Sequence, residues 1–157
     1  MTLVACAMEA RRDESVARLR RALAIRAMAA EGLSQQEIAR QLGVTQPAIS
    51  QALSASTRIS EAEPGLVVEA AAPVLKALAA ARGYTRLAVF GSVARGDAGP
   101  DSDIDLIVQA PEETSSFDFV RFQQLIERVL GRRVDMVSYG GLKPGLDDDI
   151  QREAVHL

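Results

Sequence analysis

The sequence has one cysteine, one histidine and no long apolar run. Because Cys6 has no second cysteine to pair with, an intrachain disulfide framework is excluded and we expect a reducing compartment. A surface or packing role is expected for His156 rather than catalysis. The Ala-rich segment after Leu66 is interrupted by Pro73 and Lys76, so it does not reach membrane-spanning length. Thr2–Met8 is too short for a signal peptide and lacks a basic leader. We therefore expect a cytoplasmic protein with no membrane partner.

Charge is distributed unevenly along the 157 residues, of which 48% are hydrophobic and 25% charged, as in a soluble globular protein. Residues 1–60 carry eight Arg and five Asp or Glu (+3), whereas the remainder carries ten Lys or Arg and sixteen Asp or Glu (−6), which together give −3. This asymmetry indicates two modules with different partners. A stretch of small and polar residues over 54–65 separates them, so we predict one module over residues 1–60 and another over residues 66–157.

Helical spacing and turn signals organise the first module. Apolar residues recur on one face over residues 16–31, which predicts a first helix capped by Ser15. Ser34 opens a second helix through a capping box with the glutamate three residues later, and Gly43 allows a sharp turn. Thr45 can then cap a third helix.

The segment from Leu33 to Gln51 resembles the helix-turn-helix of the phage-repressor class. The resemblance implies that the third helix reads operator DNA in the major groove, where glutamine can pair with adenine and Thr45 can contact a phosphate. The alternative is a plain three-helix interaction module whose glutamines face solvent. The predicted DNA contacts are Thr45, Gln46, Ser50 and Gln51.

A turn suited to an anion lies in the second module. The apolar run Leu87–Phe90 stops at Gly91, a pattern typical of a buried strand that enters a tight turn. Gly91 and Ser92 can present backbone N–H groups and one hydroxyl to an anion such as phosphate.

Two carboxylates follow, at Asp103 and Asp105, interleaved with the apolar residues Ile104 and Leu106. Alternate residues of a strand share a face, so the two acids are predicted to lie side by side while their neighbours enter the core. Carboxylates this close repel one another unless a cation lies between them, and Mg²⁺ prefers such oxygen ligands.

A third carboxylate, Asp135, lies in the short apolar run 133–137, after a helical pattern over Phe117–Leu130. An aspartate within an apolar strand is costly unless it is paired or bound to a metal. On a strand beside the first two acids, Asp135 would bring three carboxylates into one pocket.

The glycine-serine turn and the three acids together resemble the minimal nucleotidyltransferases of the DNA polymerase β superfamily. The match extends from about Leu66 to the end of the sequence and rests on residues 91–97, 102–106 and 134–135. It implies an α/β nucleotidyltransferase domain with a small mixed sheet. The predicted fold class is therefore α+β, an all-α helix-turn-helix module followed by this domain.

The resemblance also implies roles for the site residues. Gly91 and Ser92 would hold the β- and γ-phosphates of ATP, and Asp103 and Asp105 would hold Mg²⁺. Asp135 would complete the metal site and take the proton from an incoming hydroxyl, so that the three acids are the predicted catalytic residues. The product would be a nucleotidylated acceptor, with pyrophosphate as the leaving group.

Arg95 occupies a position of the same motif and would neutralise phosphate charge in the nucleotide site. An equally good alternative from the residues alone is a salt bridge to Asp97 or Asp101, which lie in a turn-rich context.

Two functions from different classes are compatible with these features. The first is a Mg²⁺-dependent transferase of AMP from ATP to a partner protein, acting as the antitoxin to a toxin with an HEPN-type ribonuclease fold. Its DNA-binding module would repress its own operon, as a homodimer or hetero-oligomer. The second is a DNA-binding repressor whose other domain only binds a nucleotide or a partner. The intact set of three acids favours the first, and the chain is short for a transferase that modifies small molecules such as aminoglycosides.

Overall fold

The computed structural model describes the backbone of residues 1–157 and all side chains except those of residues 56 and 57. Three helices come first and are followed by a 3₁₀ helix over residues 56–61 and by an alternation of helices and strands. No helix in the described part of the chain has the length and apolar character needed to cross a membrane. The helices are α1 (Leu3–Ala30), α2 (Gln35–Leu42), α3 (Gln46–Ala55), α4 (Pro64–Ala80), α5 (Gly91–Arg95), α6 (Ser116–Leu130) and α7 (Asp148–Glu153).

Four strands form one mixed sheet in the order β3-β2-β1-β4. β1 is antiparallel to both β2 and β4, whereas β2 and β3 run parallel. The parallel pair is joined by α6, the crossover that such a connection requires. The predicted fold class, a helical module followed by an α/β domain with a small mixed sheet, is thus confirmed. The strands are β1 (Thr85–Phe90), β2 (Ile104–Gln109), β3 (Val134–Ser138) and β4 (Val155–His156).

The first helix is longer than the sequence pattern predicted. It begins at Leu3 rather than near Val16, and Thr2 caps it by accepting a hydrogen bond from the Ala5 backbone. The prediction that Ser15 is the cap was wrong, because Ser15 lies inside the helix and its hydroxyl donates to the Arg11 carbonyl. The added turns are rich in Ala, Glu and Arg, which favour helix without an apolar face directed at the core.

The helix-turn-helix forms as the sequence indicated. The capping box at Ser34 is complete, since its hydroxyl accepts from the Glu37 backbone and the Glu37 carboxylate accepts from the Ser34 backbone. Gly43 ends α2 at φ 67°, a left-handed conformation that glycine adopts without steric cost. Thr45 caps α3, accepting a hydrogen bond from the Ala48 backbone.

α1 contributes to two hydrophobic cores. Val16 and Leu23 pack with α4, α6 and one face of the sheet, whereas Ile25 packs with Ile38 and Ile49 of the helix-turn-helix. The division at residues 60–66 stays a prediction about folding units. In the structure, one helix joins the two parts.

Arg26 secures this junction. Its guanidinium donates from Nε to the Val129 carbonyl (2.9 Å) and from Nη2 to the Arg128 carbonyl (2.7 Å), and so caps the last turn of α6. We expect Arg26→Met to lower the free energy of unfolding by about 1–3 kcal/mol, because it leaves carbonyls of a helix end without these charged donors. Urea titration of the variant measures this, with the exposed Arg18→Met as control. Equal stability of the two variants would contradict the role of Arg26.

The other face of the sheet is covered by the segment after β3. Ala88, Phe90 and Ile107 form a small core there, against which Tyr139 and Ile150 pack. Residues of even number in β2 enter the main core, so the odd-numbered Asp105 shares the opposite face with Ile107. The predicted acids therefore lie on the same face as the C-terminal segment.

Candidate active site

Gly91 ends β1 and begins α5 in direct contact with an acid. It is buried, with φ 68°, a conformation that residues with a side chain rarely adopt. A Cβ placed on Gly91 would overlap Oδ2 of Asp105 and lie 3.0 Å from its Cγ. Glycine is therefore required here both by backbone conformation and by the close approach of the Asp105 carboxylate.

The parallel pairing of β2 and β3 places Asp105 directly beside Asp135. Asp105 is half-buried and Asp135 is exposed, while the residues on either side of each are buried. Asp103 lies one residue before β2, not within it as predicted, because the ladder begins where the Ile104 amide donates to the Arg133 carbonyl.

The three acids influence one another electrostatically. The pKa of Asp105 is raised by burial and then by the negative charges of Asp135 and Asp103, and it is lowered by the cation of Arg95. Arg133 Nε lies 3.9 Å from Oδ1 of Asp103, an exposed ion pair. Among the described side chains, no three of Asp, Glu, His or Cys already stand in an arrangement that could hold a metal ion. The sequence thus identified acids that lie close together, but their carboxylates are not arranged around a common point as a metal ion requires.

Arg95, at the end of α5, is held by two acids. Its Nε donates to the Asp97 carboxylate (3.3 Å), which is the salt bridge that the sequence offered as an alternative to phosphate binding. Its Nη1 donates to both carboxylate oxygens of Glu153 in α7 (3.2 and 3.3 Å). Sequence reasoning missed Glu153, because no local pattern connects two residues 58 positions apart. The last helix, α7, therefore helps to position the cation that lowers the pKa of Asp105.

The residues predicted to contact DNA lie on a separate surface. Gln46 and Gln51 are exposed on α3 and Ser50 is half-buried. The Gln46 amide donates to Oε1 of Gln35 at the start of α2 (2.8 Å), a partner that the sequence did not indicate.

A cavity of about 590 Å³ lies near the other end of the sheet and contains none of these residues. It is bordered by Tyr84, Glu113 and Arg121, far along β1 and β2 from Gly91 and Asp105. Local chemistry, not cavity size, therefore locates the candidate active site.

Comparison with known proteins agrees with this geometry. Residues 73–157, which include Gly91 and all three acids, match the nucleotidyltransferase domain family. The chain belongs to this family. Nucleotidyltransferases generally act on a nucleotide substrate with a divalent metal. Residues 28–70 of this nucleotidyltransferase match the Cro family, in accord with the helix-turn-helix of α2 and α3.

Similar proteins share the nucleotidyltransferase part of the chain. The protein adenylyltransferase MntA of Thermococcus cleftensis is 39% identical over 75 residues, covering 48% of this chain and 76% of MntA. A Methanocaldococcus jannaschii protein provisionally named a protein adenylyltransferase is 42% identical over 75 residues, 48% of this chain and 81% of its own length. A solved structure described provisionally as a minimal nucleotidyltransferase is 41% identical with a TM-score of 0.55, covering 60% of this chain and 97% of that one.

Proposed function

We propose that this nucleotidyltransferase transfers AMP from ATP to a hydroxyl of a partner protein in a Mg²⁺-dependent reaction. The observation that carries the proposal is the pairing of Asp105 with Asp135 beside the glycine turn of α5. The names of the two relatives, which are 39% and 42% identical, support AMP and a protein acceptor.

The donor set fits Mg²⁺. Asp103, Asp105 and Asp135 offer only carboxylate oxygens, and burial together with like charge makes the ionised form of Asp105 unfavourable without a cation. Asp103 would leave its exposed ion pair with Arg133 to join the other two, and such pairs contribute little free energy. The bound ion would supply charge neutralisation for the phosphates of the nucleotide.

The chain's own groups would orient the reactants. Phe90 provides no side-chain cap to α5, so the backbone amides of this turn and the half-buried Ser92 hydroxyl remain to bind the β- and γ-phosphates. Arg95 would neutralise phosphate charge from the position in which Glu153 holds it.

Transfer would proceed by in-line displacement at the α-phosphorus. The acceptor hydroxyl oxygen forms the new P–O bond while the bond to the pyrophosphate oxygen breaks. Asp135, the exposed acid of the three, takes the hydroxyl proton. The products are pyrophosphate and an acceptor that carries AMP through a phosphodiester.

Two labels test the proposal. Incubation with Mg²⁺, a purified partner protein and ATP labelled at the α-phosphate should label that protein, whereas ATP labelled at the γ-phosphate should not. We propose an HEPN-type ribonuclease encoded beside this chain as the partner, which would make the nucleotidyltransferase an antitoxin. Labelling from the γ-phosphate alone would indicate a kinase and would refute the proposal, and absence of both labels would refute the named acceptor.

A second function, binding of operator DNA, is favoured by the match to the Cro family and by the exposure of Gln46 and Gln51 on α3. We propose that α3 enters the major groove while Thr45 contacts a phosphate, so that the protein represses its own operon. The alternative function, a repressor without transferase activity, would use the same DNA-binding surface. The two functions are distinguished by the labelling experiment, since such a repressor would not label the partner protein.

We expect Gln46→Ala and Gln51→Ala each to weaken operator binding by about 1–3 kcal/mol and to relax specificity at one base pair. Mobility shifts on the DNA upstream of the reading frame, at two salt concentrations, measure this. Gln124→Ala, which removes an exposed glutamine from α6, is the matched control. If the double variant binds the operator as tightly as this control, α3 does not read the DNA.

A further inference from the structure

A groove with a basic rim lies between α1 and the end of α3, apart from the acids of the active site. Its volume is about 460 Å³. Arg18 and Arg21 of α1 and Arg58 of the 3₁₀ helix border it, and none of the described residues that line it is acidic. We call it the basic groove. Its floor is apolar and consists of Leu19, Ala22, Ala52, Ala55 and Ile59.

The three guanidinium groups of the rim are available to a binding partner. All three side chains are exposed, and none makes an ion pair within the described part of the chain. Two other arginines beside α1 differ in this respect, since Arg12 is paired with Glu69 and Arg82 with Glu31. Guanidinium groups bind carboxylates through strong charge-assisted hydrogen bonds, so this rim favours an acidic occupant.

Exposed apolar residues at the start of α1 extend the floor of the basic groove. Val4 and Met8 are 73% and 59% exposed. At 100° per residue, positions 4 and 8 lie within about 60° of Ser15, Leu19 and Ala22, which line the groove. The residues between Val4 and Ala22 span about 27 Å at 1.5 Å per residue. This face of α1, which we call the apolar strip, therefore continues the groove along most of the helix.

We propose that the basic groove and the apolar strip bind an acidic amphipathic helix of a partner protein. A helix of about 18 residues matches the length of the strip. Its apolar face would cover the strip and the groove floor, and its flanking carboxylates would pair with the arginines of the rim, as in other complexes in which a helix occupies a groove. This inference goes beyond nucleotide transfer and does not depend on it.

Operator DNA is a poorer fit to this surface than an acidic helix. Ala52 and Ala55 lie about 120–180° around α3 from Gln46 and Ser50, two of the proposed DNA contacts. DNA read by those two residues would therefore leave the apolar floor of the groove uncovered. Phosphates would pair with the arginines of the rim but would bury neither the floor nor the apolar strip, whereas exposed apolar surface of this kind marks a protein contact.

A fluorescent peptide tests the charge complementarity with the full-length chain. The probe is a designed helix of about 21 residues, with leucines on one face and glutamates beside them. Fluorescence anisotropy should show binding, and the same peptide with lysines in place of the glutamates should bind at least about tenfold more weakly. The double variant Arg18→Glu with Arg58→Glu should prefer the lysine peptide. A folding defect would not exchange the preference in this way.

The control for the double variant is Arg40→Glu, which makes the same change at an exposed residue of α2 outside the groove. It should keep the preference of the wild type for the glutamate peptide. Equal binding of the two peptides by the wild type, or the same preference in the double variant as in the wild type, would overturn the proposal.

A pair of substitutions tests the apolar strip. Met8→Glu should weaken binding of the glutamate peptide about tenfold, because it places a like charge in the apolar contact. Leu3→Glu is the matched control, since Leu3 is 89% exposed on the same helix but lies about 140° around it from Met8. It should bind the peptide as the wild type does. Equal losses in the two variants would show that the strip is not the contact surface.

Two further measurements separate the acidic helix from other occupants. Duplex DNA from upstream of the reading frame should not displace the bound peptide, and Met8→Glu should leave the sedimentation behaviour of the protein unchanged. Displacement by DNA would assign the basic groove to the DNA interface. Altered self-association of Met8→Glu would assign the apolar strip to a second copy of the chain. Either result would refute the proposed partner.

Discussion

Replacing Asp105 by Asn is expected to abolish nucleotide transfer and to leave the fold intact. Asp105 is the acid at the centre of the site, beside Asp135 in the sheet register and against the Gly91 backbone. An amide of nearly the same shape keeps the packing but removes the charge that a metal ion and its bound phosphates require. Loss of one essential electrostatic group lowers turnover by roughly 10²–10³-fold or more.

Transfer from α-labelled ATP to the acceptor measures this loss. The Asp101→Asn variant is the matched control, because it makes the same chemical change at an exposed turn residue four positions away and should keep its activity. ATP with Mg²⁺ should also raise the melting temperature of the wild type and the control, since a bound ligand stabilises the folded state, but not that of Asp105→Asn. Equal labelling by wild type and Asp105→Asn would refute the assignment of this acid.

Stability provides an independent check on the same variant. Burial and the two neighbouring carboxylates disfavour the charged form of Asp105 in the folded protein without metal. Neutralising the residue removes this cost, so the melting temperature without nucleotide should equal or exceed that of the wild type. A marked decrease would indicate that Asp105 is structural.

The second large effect is expected for Gly91→Ala. The methyl group would force a side-chain-bearing residue to φ 68° and would overlap the Asp105 carboxylate. The strained backbone conformation should lower the free energy of unfolding by about 1–2 kcal/mol. The overlap with Asp105 should displace its carboxylate and lower the rate of transfer by roughly a hundredfold.

Gly96→Ala separates the two effects. Gly96 has φ 79°, but no atom lies within 4 Å of a Cβ built on it, so this variant carries the backbone strain without the collision. It should lose a similar part of its stability, measured by urea titration, and retain most of its transfer activity. If both variants lose transfer equally, strain in α5 rather than the approach to Asp105 explains the defect.

Much of the local structure was predictable from short stretches of sequence. The capping box at Ser34, the turn at Gly43 and the break of β1 at Gly91 depend on residues within one turn of one another. The start of α1 was not predictable in this way, because its first turns contact no core and so carry no apolar periodicity. Helix propensity, the Thr2 cap and the ion pair of Arg12 with Glu69 form them, and propensity is a weak signal in any short window.

The sequence by itself determined that Asp105 alternates with core residues, because a strand has a period of two and burial of Ile104 and Leu106 leaves the acid on the other face. It also determined the family to which the acids and the glycine-serine turn belong. Only the tertiary structure decided that Asp135 stands opposite Asp105, that Glu153 holds Arg95 and that α1 serves two cores. These contacts join segments tens of residues apart, where register follows from burying the whole core rather than from any local preference.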